Sequence, residues 1–291
     1  MIESKKFSPS TEELANQVRE VGYCLIENII PEDKIELIKT EISDAAHAHS
    51  SDYAAENITH LSGTINYAQS FAEYIAHPRI LALVETFFGP YSRISSTTTT
   101  INEPGNKRGM WHSDWPFNQR NAGHIPVPYP DMMVHITSIW MLSTFTKDNG
   151  GTLIRPKSHK LSYNPSMDYP ENKAKIEDKK AMAEGWTTVA CDPLDDEINA
   201  TGPRGSVLFF DSRLWHATAP NTSTDPRVAL IVRYAPWWIN LKSWRPGSID
   251  RTIMSEEPGI FENVLPPLPV DVYNRLPEAT KPLFRHWVEN A

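Results

Sequence analysis

His112-Ser113-Asp114 sets an imidazole and a carboxylate two residues apart. On a strand, residues i and i+2 project from the same face, so both groups can converge on one ion. Alone, the pair is better explained by a His–Asp hydrogen bond on that strand. His216 strengthens the case by supplying a second imidazole after the apolar stretch Ser206–Phe210. Arg227 follows at the head of the apolar run Val228–Val232. A cation opening a buried strand demands an anion, because an unpaired buried charge is prohibitive. Asp225 is the near carboxylate and falls in a turn, so an external carboxylate gripped bidentately by the guanidinium is a candidate.

Two His and one Asp with open positions form the facial arrangement of non-haem Fe(II) oxygenases. Three protein ligands on one face of an octahedron leave three positions for a bidentate cosubstrate and dioxygen. A structural zinc would more often take thiolates and close all four positions. Paired glycosidase carboxylates, a Gly-x-Ser-x-Gly elbow, a Gly-x-Gly-x-x-Gly turn and a P-loop find no support in this chain. The remaining histidines read differently. His47 and His49 face apart at a helix end and belong to the surface. His135 reads as a structural residue of an apolar strand, and His159 as a turn residue beside the core. Pro116 stops the strand that carries the His-x-Asp pair, so Trp115, Phe117 and Asn118 form a loop at the pocket mouth. With His124 in the following Pro-rich loop, these residues are the substrate-facing candidates. Trp237 and Trp238 read as packing residues, and Arg120, Lys242 and Arg245 as solvated charges.

These groups need elements to hold them. The N-terminal third reads as helical. Ser10-Thr11-Glu12-Glu13 is a capping box, Leu14, Val18 and Val21 follow at helical spacing, and Gly22 ends the helix. Tyr23–Ile30 reads as a short strand broken at Pro31, which opens a second helix with Ile35, Ile38, Ile42 and Ala45 on one face. A third helix spans Arg79–Phe88. From Ser92 the texture changes to strands: Ser95–Ile101, Val134–Leu142, Ser206–Phe210 and Val228–Tyr234. Gly and Pro punctuate them, which suggests a sandwich or barrel, jelly roll included. The polar stretch Ser162–Gly185 reads as a solvated helix and loop, with a lid as the alternative.

Composition narrows the function classes. In 291 residues, 28 Lys+Arg face 36 Asp+Glu, giving a net charge of −8 and a pI near 5.7. That balance argues against a nucleic-acid partner, which would need a basic field. With 40% hydrophobic and 22% charged residues, the chain can bury a large core. Its two cysteines, Cys24 and Cys191, cannot build a disulfide framework. The early sequence lacks a signal-peptide pattern, and no apolar run approaches the roughly 20 residues of a membrane helix. A cytoplasmic protein without a membrane partner is expected.

The chain resembles the phytanoyl-CoA dioxygenase (PhyH-like) family of Fe(II)/2-oxoglutarate-dependent oxygenases. The matching order runs through Glu20-Val21-Gly22-Tyr23, His77-Pro78-Arg79-Ile80, Gly89-Pro90, Trp111-His112-Ser113-Asp114 and Asn149-Gly150-Gly151-Thr152. It continues through Pro156-Lys157-Ser158-His159-Lys160, His216-Ala217-Thr218-Ala219-Pro220-Asn221 and Arg227. The resemblance implies a mainly β fold with flanking helices, a double-stranded β-helix (jelly roll, cupin-like). It implies His112, Asp114 and His216 as iron ligands, with Arg227 and Thr218 holding 2-oxoglutarate. Fe(II), 2-oxoglutarate and O2 are the expected cofactor and cosubstrates. A small organic molecule is the expected substrate, hydroxylated with release of succinate and CO2. Asp114 also argues against halogenation, for which relatives give up the carboxylate ligand to make room for halide. Two departures stand out: Met110 replaces a common Gln, and Lys157 replaces the Gly of a Pro-Gly-Ser-His turn. One domain over residues 1–291 is expected, with a mostly helical 1–90, a jelly-roll core at 91–235 and a C-terminal extension at 236–291. Two other readings remain at this point: an inert cupin-like binding protein, and a Zn- or Mn-dependent isomerase or hydrolase in the same cup. Oligomeric state is not encoded in any pattern here.

Overall fold

The computed structural model describes residues 8–50, 56–114, 128–161, 165, 191–254 and 265–289, with 252–254 described by backbone alone. Helix α1 spans Thr11–Val21. Its capping box closes as expected: Ser10 Oγ accepts from the Glu13 amide while Glu13 reaches back to the Ser10 amide. Gly22 ends it in the left-handed region at φ 96°. Leu14, Ala15 and Val18 are the buried stripe of α1. Full burial of Leu14 and Val18 contributes roughly 1.5–3 kcal/mol each.

Strand β1 covers Tyr23–Ile26, shorter than the Tyr23–Ile30 expected. Asn28 takes φ 58° and turns the chain, after which the Ile29 and Ile30 amides both donate to the Gly205 carbonyl. Helix α2 (Glu32–His49) buries Ile35, Ile38, Ile42 and Ala46, and Ala45 is partly buried against the same core. His47 and His49 are exposed, as expected. Strand β2 (Ile58–Ser62) and the short helix α3 (Ala72–Ile75) were not anticipated. Helix α4 (Pro78–Phe88) starts with Pro at its first position.

The remaining strands are β3 (Arg93–Asn102), β4 (Ile136–Met141), β5 (Leu153–Ile154), β6 (Ile198–Asn199), β7 (Val207–Asp211), β8 (His216–Ala217) and β9 (Arg227–Ala235). They build two antiparallel sheets, a six-stranded one in the order β1-β7-β4-β9-β3-β2 and a three-stranded one in the order β6-β5-β8. This is the jelly roll, with helices on one side. Both edge strands of the larger sheet come from before residue 91.

Strand parity separates two cores. Along β9, Val228, Leu230, Val232 and Tyr234 join the large cluster that also holds Leu14, Ile35, Ile42 and Leu83 from the helices. Ala229 and Ile231, of opposite parity, pack in a second cluster with Ile139, Met141, Leu208 and Phe210. The inner face of the sheet is therefore the one that also carries Arg227 and Arg233. A β-bulge between Ile94 and Ser96 shifts the β3 register and sets Ser96 opposite Arg233, with Asn102 opposite Arg227. The C-terminal part adds Trp244, Leu268, Phe284 and Trp287 to the large core. Trp237 and Trp238, expected to pack, instead stand 54% and 50% exposed just after β9, where the chain leaves the sheet.

Candidate metal centre

The chain around His112 is not the strand expected for the His-x-Asp pair. Within the described residues it is irregular, with a single antiparallel bridge from His112 to His216. The His112 amide donates to the His216 carbonyl at 3.0 Å and the His216 amide to the His112 carbonyl at 2.9 Å. The Asp114 amide donates to Ser212 O at 2.7 Å. These backbone bonds bring the three side chains together, and their candidate ligand atoms all lie within 4.8 Å of one another. His216 Nε2 stands 3.7 Å from Asp114 Oδ2. Among the described residues this is the one such group of three His, Cys, Asp or Glu side chains.

The donor set fits a metal because each imidazole is held in one tautomer. His112 Nδ1–H donates to the Met110 carbonyl and His216 Nδ1–H to the Leu214 carbonyl, both at 2.9 Å. That leaves each Nε2 as the lone-pair donor. The backbone of Met110 thus orients the His112 ring whatever side chain stands there. Burial, then the neighbouring His112, pushes His216 down to about 4, so its imidazole is neutral and ready to ligate.

Asp114 is fully buried. Burial alone would raise its carboxyl, but Arg233, His216, His112 and Thr137 more than offset this and hold it well below the usual carboxylate range. Arg233 Nη2 donates to Oδ1 at 2.8 Å and Thr137 Oγ1 to Oδ2 at 2.5 Å. Because the carboxylate only accepts, the direction of the next bonds follows. Ser212 Oγ donates to Thr137 Oγ1 at 3.0 Å, and His135 Nδ1–H donates to Ser212 at 2.9 Å. His135 Nε2 then accepts from Ser95 at 2.7 Å. His135 is structural, as expected, but it lies just before β4 and belongs to this buried chain of bonds. Burial pushes it down to about 3, so it stays neutral.

Arg227 opens β9 and is 4% exposed. Its guanidinium lies 4.7 Å over the Phe145 ring and makes no ion pair or hydrogen bond among the described residues, and its Nε is buried without a partner. Burial pushes it down to about 10, which still leaves it charged at neutral pH. Asp225 is exposed and does not pair with it. Opposite Arg227, the Asn102 side chain is fully buried with both amide atoms unpartnered. Buried polar groups without partners are costly, so this corner carries unmet hydrogen-bonding capacity. Thr218 is half-buried against Gly109. The Gly109 amide donates to its carbonyl at 2.9 Å, and a Cβ at Gly109 would come within 3.0 Å of the Thr218 Cβ.

Sequence reasoning missed Arg233, Thr137 and Asn102. Arg233 was within reach of it, since it shares the parity of Arg227 on one apolar strand. Thr137 and Asn102 gain meaning only from strand register. Trp115, Phe117, Asn118 and His124 lie outside the described residues, as does nearly all of the 162–185 stretch. His159 is buried in a short turn, as expected.

The sequence profile described as "Phytanoyl-CoA dioxygenase (PhyH)" matches residues 18–229. The dioxygenase af480 of Aspergillus fumigatus is 26% identical over 174 residues, which are 59% of this chain and 47% of that protein, so the match spans about half the relative's length. The ectoine dioxygenase of Stutzerimonas stutzeri is 26% identical over 249 residues, 78% of this chain and 77% of that one. Among solved structures, the epimerase SnoN in complex with Fe3+, alpha ketoglutarate and nogalamycin RO superposes with a TM-score of 0.59 at 16% identity, covering 88% of this chain and 93% of that one. A family match along most of the chain, on a jelly roll that gathers His112, Asp114 and His216 into one cluster, places the chain in the phytanoyl-CoA dioxygenase (PhyH) family of Fe(II)- and 2-oxoglutarate-dependent dioxygenases.

Proposed function

We propose that His112, Asp114 and His216 hold Fe(II) in this chain, that Arg227 and Thr218 hold 2-oxoglutarate, and that the reaction hydroxylates a small organic molecule. Iron bound there supplies activation of O2 coupled to decarboxylation of 2-oxoglutarate, with succinate and CO2 as coproducts. The chain's own residues do the rest. Two imidazoles in fixed tautomers and one carboxylate would hold the ion, each through one donor atom. Arg227 takes the far carboxylate of the cosubstrate, and the unpartnered Asn102 amide completes that pocket. Phe210, from the apolar cluster that also holds Ile139, Met141 and Leu208, packs its ring edge-on at 5.0 Å against His216 and shields that imidazole from water. Trp115, Phe117, Asn118 and His124 follow Asp114 in the chain and are assigned to the substrate side. Residues 1–291 are read as one domain of cytoplasmic origin, without nucleic-acid or membrane partners; among the described residues no helix is long and apolar enough to cross a membrane.

The buried, unpaired Arg227 is the observation that carries this reading. An inert binding module or a zinc or manganese hydrolase would not need a desolvated, unpaired guanidinium at the head of β9. The test needs no substrate. Fe(II) and then 2-oxoglutarate are added to metal-free protein without oxygen, and the weak visible charge-transfer band of the chelate is recorded. Wild type should show the band. Arg227→Ala should retain iron and bind 2-oxoglutarate about 100-fold more weakly, the scale of a lost charge-assisted bidentate pair. His216→Ala should lose iron and turnover. Iron bound without a band in wild type, or an unaltered band in Arg227→Ala, would overturn the assignment.

A further inference from the structure

We propose that Arg233 anchors an anionic group of the substrate, so that the molecule oxidised here carries a carboxylate or another singly charged oxyanion. The proposal rests on the iron and 2-oxoglutarate assignment above and deepens it. Arg233 sits on the inner face of β9, with the same parity as Arg227 and only 15% of its side chain exposed. A guanidinium has five N–H donors. One Nη2–H goes to Asp114 Oδ1 at 2.8 Å, and Nη1 reaches Ser96 Oγ only at 3.4 Å. The Nε–H is buried with no partner. Most of this cation's hydrogen-bonding capacity is thus unspent, beside the metal ligands.

Charge points the same way. A divalent ion and two arginines bring four positive charges to the site, while Asp114 and the 2-oxoglutarate dianion bring three negative ones. One positive charge is left in a desolvated place, where it calls for an anion. A metal ion held by Asp114 would compete with Arg233 for the charge of that carboxylate. Among the described residues Asp114 is the one carboxylate paired with Arg233. The sequence of residues 115–127 contains no Asp or Glu.

The surroundings suit an oxyanion. Ser96, Thr98 and Thr100 project from β3 to the same inner face, and β2 sets Ser62 opposite Thr98 and His60 opposite Thr100. The Thr98 and Thr100 hydroxyls make no hydrogen bond among the described residues. His60 holds Ser62 Oγ at 3.2 Å, and burial together with the Arg233 charge keeps its imidazole neutral. The wall therefore offers hydroxyl donors and one cation, with no further negative charge to repel an acid.

Binding to the anaerobic Fe(II)·2-oxoglutarate protein tests this by calorimetry, with matched acids and amides as probes: acetate and acetamide, benzoate and benzamide, phenylacetate and phenylacetamide. The chelate band is recorded first on the same samples, so a failure of the underlying reading is seen separately. In wild type at least one acid should bind about 10-fold or more tighter than its amide. Arg233→Met should abolish that preference, whereas Arg233→Lys should keep several-fold of it through charge alone. Should Arg233→Met fail to fold or load iron, Thr98→Val carries the test and should weaken the favoured acid more than its amide. Equal binding of acids and amides by wild type, absence of binding by every acid, or a preference that survives in Arg233→Met would overturn the proposal.

Discussion

Lys157 occupies a position that suits glycine better. It stands at φ 67° and ψ −2°, in the left-handed region, with its side chain exposed. Its amide donates to Val21 O at 2.8 Å, so the turn is made despite the strain of a Cβ there. Lys157→Gly should stabilise the protein by about 0.5–1 kcal/mol, the strain relieved less the extra freedom of an unfolded glycine. Urea unfolding checks this as a higher midpoint at unchanged slope; a lower midpoint would show that the lysine stem contributes packing worth more than the strain. At the same level of detail, the residues legible beforehand were those whose type is costly anywhere but in a site. A cation at the mouth of an apolar strand is conspicuous by itself, and the His-x-Asp pair becomes so only in company with His216 and Arg227. Thr137 and Asn102 do not, because a buried Thr or Asn is ordinary until its partner, or lack of one, is known.

Gly22 joins α1 to β1 and shows how tightly the elements meet. Its carbonyl accepts from the Asp211 amide at 3.0 Å, which ties the helix end to β7. A Cβ there would lie 2.6 Å from Leu214 Cδ1 and 2.7 Å from His159 Nδ1, at a φ of 96°. Gly22→Ala should therefore destabilise by about 2–4 kcal/mol, through strain and overpacking together. Equilibrium unfolding reads this directly, and a loss under about 1 kcal/mol would mean that Leu214 and the His159 ring swing aside at little cost. Helices were the most legible elements: caps and apolar spacing are local, so α1 and α4 could be read nearly to the residue, and α2 by its start and its buried face. Strands β3, β4, β7 and β9 were found with ends shifted by a residue or two. The His112–Asp114 segment was misread as a strand, since its parity comes from one bridge to His216 and not from a ladder.

The assembled protein buries several imidazoles that must stay neutral. Burial, with nearby cations in some cases, pushes His135 and His286 down to about 3 and His60 and His216 to about 4. Between those values and 6.5 the unfolded chain binds protons that the folded one refuses, so stability is full above 6.5 and falls as pH drops below it. For the fully buried His135 alone the loss from pH 6.5 to 5 is on the order of 2 kcal/mol. Urea unfolding of the metal-free protein at pH 7, 6 and 5 should show this decline, shallower in His135→Gln. A profile flat over that range would mean that these histidines are charged in the folded state. The amino-acid sequence by itself determined which chemistry was available: two imidazoles, a carboxylate and a buried cation, together with the helices and strands that carry them. Those conclusions rest on the properties of single residues or on neighbours a few positions apart. Only the tertiary structure decided that Arg233 grips Asp114, that Asn102 faces Arg227 and that Trp237 and Trp238 stay in solvent. The two pairings join residues 119 and 125 positions apart, Asn102 to Arg227 by strand register and Arg233 to Asp114 by packing across the site. The exposure of the two tryptophans depends on where the chain leaves the sheet. Local periodicity sets which side chains share a face of one strand, but it carries no information about what that face will meet.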